Sequence, residues 1–275
     1  MENTFTPIDI KALFAEKDPR MARLVPGFVY RYLTRVMHIP EINEIMGLYG
    51  HLEGMDFIEK IIEYFNVTQN VRGIENVPTG RRYVFAANHP LGGFDSMLLM
   101  SNVFHHFGDF RILVNDIMLK IAPLRALCIP IDKYGPGGRQ FAHVVNAEYS
   151  SDRPIIIFPS GLASRKTGGQ IRDLQWKKHF IQKAIEFGRD VVPVHISGRN
   201  TEFFYRLANI RKALHIKWNL EIFFLPDETF RHRNGNYTLT FGKPIPYATF
   251  DRSHSFQEWA EYVKKMVYSL PESHN

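Results

Sequence analysis

From residue 82 onward, short apolar runs alternate with longer stretches whose apolar residues recur at helical spacing. No other feature restricts the fold as strongly. Runs at 82–87, 111–115, 154–158, 190–196, 219–225 and 237–241 read as strands. Stretches at 95–107, 138–149, 174–187 and 201–213 read as helices. The alternation predicts an α/β fold, with a mostly parallel central sheet flanked by helices. Residues 255–269, with Phe256, Trp259, Ala260, Val263, Met266 and Val267 on one face, predict a last helix.

Residues before this alternation predict an N-terminal helical extension over 1–66, followed by the α/β domain over 67–275. Pro26 opens one amphipathic run, in which Phe28, Val29, Tyr32, Leu33, Val36 and Met37 share a face and Pro40 is the expected stop. That face either packs on its own domain or lies in a membrane interface, with Arg31 and Arg35 meeting lipid phosphates. In a second run Phe57, Ile58, Ile61, Ile62 and Phe65 oppose Asp56, Glu59, Lys60 and Glu63. Residues 67–80 read as a connector, with turn chemistry at Asn76-Val77-Pro78-Thr79-Gly80.

The 275 residues, 45% hydrophobic and 23% charged, suffice for one large core with a helical extension. A net charge of +6 suits an anionic partner such as a lipid surface or an acidic carrier. No helix is rich enough in Arg and Lys to favour nucleic acid. Cys128 is the only cysteine, which rules out an intramolecular disulfide. No run approaches the roughly 18 apolar residues of a membrane-crossing helix, and the first residues do not read as a secretory signal. Membrane contact is expected to be peripheral, at the cytoplasmic face.

The segment Phe85-Ala86-Ala87-Asn88-His89-Pro90-Leu91-Gly92-Gly93-Phe94-Asp95-Ser96 carries the chemistry. A strand ends in Asn88-His89, a turn with two glycines follows, and Asp95 opens a helix. Open α/β sheets place their chemistry at the carboxyl ends of strands. His89 is the candidate general base, because imidazole titrates near neutrality. Asp95 is the candidate that orients the ring and stabilises the imidazolium. The alternative is a plain helix N-cap at Asp95 beside a strand-end histidine.

Three further constellations follow. Ile129-Pro130-Ile131-Asp132-Lys133 leads into a glycine-rich turn and Arg139, where Lys133 and Arg139 could hold an anion or simply be solvated. Ile155-Ile156-Ile157-Phe158-Pro159-Ser160-Gly161-Leu162-Ala163-Ser164-Arg165 runs from a buried strand into a basic loop. Glycine at 161 lets backbone amides approach a ligand closely, and Arg165 can fork onto a phosphate or carboxylate. The loop has neither the Walker spacing nor a Gly-x-Ser-x-Gly elbow. Asp190-Val191-Val192-Pro193-Val194-His195 is a buried strand, with His195 read as a core or strand-end residue. The twelve histidines show no zinc-site spacing, so no metal is expected.

In order and spacing, these four blocks resemble the glycerolipid and lysophospholipid acyltransferase superfamily. Its blocks are Asn-His-x4-Asp, a Phe-Ile-Asp-Arg-like segment, Phe-Pro-Glu-Gly-Thr-Arg-Ser and a Val-Pro-Val strand. The wording here is similar to a bacterial branch linked to amino-acid-containing lipids of the glycine type. The resemblance implies transfer of a fatty acyl group from acyl carrier protein or acyl-CoA to a hydroxyl or amine of a lysolipid or aminolipid acceptor, without a cofactor. It implies that His89 and Asp95 are catalytic. It further implies that Lys133, Arg139, Ser160, Gly161 and Arg165 bind substrate, with amides near Gly161 steadying the oxyanion. Two departures stand out: five residues separate His89 from Asp95, and Ser160 replaces the family's glutamate. Without that carboxylate, Arg165 is expected to carry uncompensated charge. Thioester or lipid ester hydrolysis, and a lipid- or carrier-binding role without chemistry, are the alternatives.

Overall fold

A computed structural model describes residues 5–115, 118–130, 138–216 and 219–270. Helices come first: α1 (Ile10–Lys17), α2 (Pro19–Leu24), α3 (Gly27–Val36), α4 (Ile39–Tyr49) and α5 (Met55–Tyr64). The Asp9 side chain caps α1 by accepting from the amides of Lys11 and Ala12. Pro40 does not end α3. It stands in the first turn of α4, where a missing N–H removes no helical bond.

The apolar residues of α3 split between two surroundings. Tyr30 turns inward against Ile10 and Ile39, and its hydroxyl donates to Ala22 O at 2.8 Å. Phe28 and Tyr32 stay 65% and 53% exposed. In α5, by contrast, Phe57, Ile58, Ile61 and Ile62 all enter the main core, as their spacing predicts.

The elements that follow are β1 (Thr68–Arg72), β2 (Tyr83–Ala87), α6 (Phe94–Phe107), β3 (Arg111–Val114) and β4 (Cys128–Pro130). Next come α7 (Gly138–Ser150), β5 (Ile155–Ile157), β6 (Arg165–Thr167), β7 (Gln170–Arg172) and α8 (His179–Glu186). The last are β8 (Asp190–Ile196), α9 (Glu202–Ala213), α10 (Leu225–Arg231), β9 (Asn236–Phe241) and α11 (Phe256–Ser269).

The main sheet has the order β1-β9-β8-β2-β5-β3-β4, parallel throughout except for the β8–β9 pair. All five residues of β2 are buried, as a central parallel strand requires. The two-residue period divides them between two cores. Tyr83, Phe85 and Ala87 face the core under α5 and α6, whereas Val84 and Ala86 face the one under α8 and α11. Pro193 sits inside β8 at a place where its antiparallel neighbour bulges. Pairing with β9 begins at Val194↔Phe241, and the bridge on the other side is Val191↔Ile245.

Several expectations are corrected. Residues 219–225 are not a strand: Leu220–Phe224 forms a 3₁₀ turn that runs into α10. The connector at 67–80 contains the edge strand β1, paired among the described residues with β9 alone. The basic loop after β5 contains the β6–β7 hairpin, closed by Gly168 and Gly169 at φ of 59° and 81°. The helix expected over 174–187 begins only at His179.

Candidate active site

The site lies just past the carboxyl ends of β2 and β5. Asn88 continues the pairing of β2 with β8 through its side chain: its amide donates to Ile196 O at 2.9 Å and its carbonyl accepts from Ile196 N at 2.7 Å. His89 is thereby fixed just past the carboxyl end of the central strand β2. Its carbonyl accepts from Ser164 N at 2.8 Å, and its amide donates to Asp173 Oδ1 at 3.1 Å. Its ring lies over Phe158, with centroids 4.3 Å apart.

His89 Nδ1 lies 3.0 Å from Asp95 Oδ1 and donates to Asp95 Oδ2 at 3.1 Å. Asp95 Oδ2 also accepts from the amides of Leu91 at 2.9 Å and Gly92 at 3.3 Å. The same carboxylate therefore pins the turn and faces the imidazole, and it stands in the first turn of α6, where the helix dipole favours a negative charge. In the five-residue turn between the pair, Gly92 has a φ of +81°. A Cβ there would come within 2.7 Å of Leu225 Cδ2. Because a carboxylate only accepts, Nδ1 is assigned the proton, which leaves Nε2 with its lone pair. Burial pushes the His89 pKa down, but the charge and hydrogen bond of Asp95, with help from Asp173, outweigh it, so the imidazole is raised above its ordinary 6.5.

His89 opens into a cleft of about 240 Å³. Apolar wall comes from Ile112, Leu113, Met118, Phe158, Ile222 and Leu225. Gly92, Gly93, Gly161, Arg165 and Lys177 also line it. A larger hollow of about 840 Å³ lies around α3 and α10 but includes neither His89 nor Asp95, so size does not mark the chemistry.

The remaining expected site residues separate. Gly161 is in the wall at φ +66°, but its own amide donates to Phe158 O at 2.9 Å and is spent on the turn. Ser160 is not part of the lining; its hydroxyl donates to Leu162 O at 2.7 Å. Arg165 lines the cleft, but its charge is not uncompensated as expected. Nη2 donates to Glu221 Oε1 at 2.7 Å, and the guanidinium lies 5.2 Å from the centre of the Phe204 ring. Glu221 is fully buried and also has Arg211 Nε 2.8 Å from its Oε2. A carboxylate 56 residues further along thus accompanies the arginine. Lys133 lies outside the described residues, as does the side chain of Arg139, whose backbone is in the first turn of α7. His195 is a buried residue of β8, as expected.

Sequence reasoning missed Asp173, Glu221 and Lys177. Asp173 accepts from His89 N, from Ser164 Oγ at 2.6 Å and from the Trp176 indole at 2.8 Å. It ties the base, the basic loop and the Lys177 segment together. None of the three has a local pattern that separates it from an ordinary polar residue.

Comparison with known proteins identifies the family. Over 264 residues, 96% of the chain, it is 45% identical to a lyso-glycine lipid O-acyltransferase of Bacteroides thetaiotaomicron, of which 97% is covered. A protein of the same name from Phocaeicola vulgatus is 44% identical over 264 residues, covering 96% of this chain and 95% of the relative. The fold is similar to the crystal structure of the 1-acyl-sn-glycerophosphate acyltransferase PlsC from Thermotoga maritima, with a TM-score of 0.52 at 18% identity over 94% and 95% of the two chains. The model of the acyltransferase family matches residues 12–275. On that match and those relatives, the chain belongs to the acyltransferase family and is an acyltransferase.

Proposed function

We propose that the chain moves a fatty acyl group from a thioester, carried by acyl carrier protein or coenzyme A, to the hydroxyl of a lyso-glycine lipid in membrane lipid synthesis. The observation that carries this reading is the His89–Asp95 pair facing an apolar cleft, in a chain 45% identical to an enzyme of that name.

In the reaction, His89 Nε2 takes the hydroxyl proton as the acceptor oxygen attacks the thioester carbonyl. Asp95 keeps the proton on Nδ1 and stabilises the imidazolium. The tetrahedral oxyanion needs preorganised donors. With the Gly161 amide spent, the amides of Leu162 and Ala163 on the same wall are our candidates. Collapse breaks the carbon–sulfur bond, and the imidazolium returns its proton to the departing thiolate. Bonds and protons balance without a cofactor; the acyl thioester is a substrate.

We place the enzyme on the cytoplasmic face of a membrane as a peripheral protein. Exposed Leu24, Phe28 and Tyr32, with Arg31 and Arg35 beside them, suit an interfacial helix. No helix among the described residues is long and apolar enough to cross a bilayer.

The test incubates purified protein with acyl-carrier-protein or acyl-CoA and a lyso-glycine lipid, and identifies products by mass spectrometry. The expected product is the O-acylated lipid with release of free thiol. Free fatty acid as the sole product would identify a hydrolase instead.

A further inference from the structure

Besides the His89 imidazole, two cationic side chains line the cleft, Arg165 and Lys177. Their circumstances differ. Arg165 is buried, paired with Glu221 and packed on Phe204. Lys177 is exposed, and among the described residues no carboxylate or carbonyl holds its ammonium. The ammonium lies over the backbone of Gly161, 3.0 Å from where a Cβ on that residue would stand. Glycine at 161 thus leaves the space that the lysine head occupies.

The stem of this lysine is anchored to the base. Its amide donates to Pro159 O at 3.0 Å, and the indole of the preceding Trp176 donates to Asp173 Oδ2 at 2.8 Å. The other oxygen of Asp173 accepts from the backbone of His89. One buried carboxylate therefore fixes the separation between the Lys177 backbone and the base, while the side chain beyond stays adjustable.

We propose that Lys177 binds the carboxylate of the acceptor and so selects lysolipids whose headgroup ends in a carboxylate. This inference rests on the acyl-transfer reading above and extends it to the headgroup. The charge of Arg165 is already answered by Glu221, which leaves one unspent positive charge in the described wall. A single ammonium matches a single carboxylate, whereas a phosphate monoester, with nearly two charges, calls for more than one cation or an arginine fork. An ammonium on a flexible stem reaches a point charge at variable distance without imposing planarity. With the carboxylate on Lys177 and the hydroxyl at His89 Nε2, the two polar ends of one acceptor are held across the cleft.

The test uses the full chain and two acceptors with the same tail and the same hydroxyl: a lyso-glycine lipid and its methyl ester. Wild type is expected to have a KM for the carboxylate form about tenfold or more below that for the ester, the size of a charge-assisted hydrogen bond. Lys177→Met should raise the KM for the carboxylate form by about tenfold and leave kcat and the ester KM within roughly twofold. Lys177→Arg should restore part of the difference. A Lys177→Met enzyme with the wild-type KM for the carboxylate form, or with an equal rise for both acceptors, would overturn the role of Lys177. Equal use of both acceptors by wild type would also overturn it while leaving acyl transfer intact. Wild type that acylates neither acceptor removes the underlying reading, and the proposal with it. Because Lys177 is exposed, circular dichroism and melting of the variant should match wild type.

Discussion

The guanidinium of Arg165 donates to Glu221 Oε1 at 2.7 Å, and the two side chains are 8% and 0% exposed. A buried ion pair is weak evidence of net stabilisation, but removing one member strands the other. Glu221→Ala leaves Arg165 and Arg211 facing an empty site. It should destabilise the protein by about 3–5 kcal/mol, read as a shifted denaturant midpoint. A change below about 1 kcal/mol would mean that water replaces the carboxylate at no cost.

The raised pKa of His89 has a direct kinetic consequence. A general base works only when neutral, so kcat/KM should fall as pH drops through the imidazole pKa, with the acid limb above the ordinary 6.5. Asp95→Asn removes the largest raising influence, while burial and Arg165 continue to lower the pKa. The limb should then move to lower pH, and the rate should drop by roughly 10²–10⁴-fold as the tautomer is lost. An acid limb that stays in place in the variant would assign the titration to another group.

The two glycines of the turn should respond differently to alanine. Gly92 has φ +81° and a Cβ would meet Leu225 Cδ2 at 2.7 Å, so Gly92→Ala combines backbone strain with overpacking. A loss of about 2–4 kcal/mol is expected. At Gly93 no atom lies within 4 Å of an added Cβ, and the loss should be about 1 kcal/mol or less. Equal melting temperatures for the two variants would contradict this account of the turn.

The exposed aromatics of α3 offer a test of membrane contact. Phe28→Ser with Tyr32→Ser removes side chains that are 65% and 53% exposed, so melting should be nearly unchanged. Binding to anionic liposomes should weaken by about tenfold or more, given roughly 1.5–3 kcal/mol for each large apolar side chain fully buried. Unchanged sedimentation with liposomes would eliminate the interfacial role of α3.

Much of this site can be read from sequence because its first part is local. The strand to Ala87, the turn at Gly92 and the helix holding Asp95 lie within one short segment, and strand and helix periods decide which way each residue points. The parallel sheet likewise follows from strand–helix alternation. Residues 219–225 fail as a strand because Glu221 is drawn inward to Arg165 and Arg211, and no local pattern encodes an ion pair made across 56 residues. β1 escaped notice because it is a polar edge strand with no fully buried residue. The β6–β7 hairpin did have a signal, since two successive glycines suit a two-residue turn with positive φ. Lys177 is special only through Gly161 and Asp173; Asp173 is close in the chain, but its link to His89 and the approach of Lys177 to Gly161 exist only once the chain is folded.

The most direct measurement is the initial rate of acyl transfer by His89→Ala, alongside its circular dichroism and acceptor affinity. If His89 is the base, the rate falls by at least about 100-fold while fold and acceptor binding stay near wild type. A His89→Ala enzyme that keeps its fold and transfers acyl groups within tenfold of wild type would contradict the assignment.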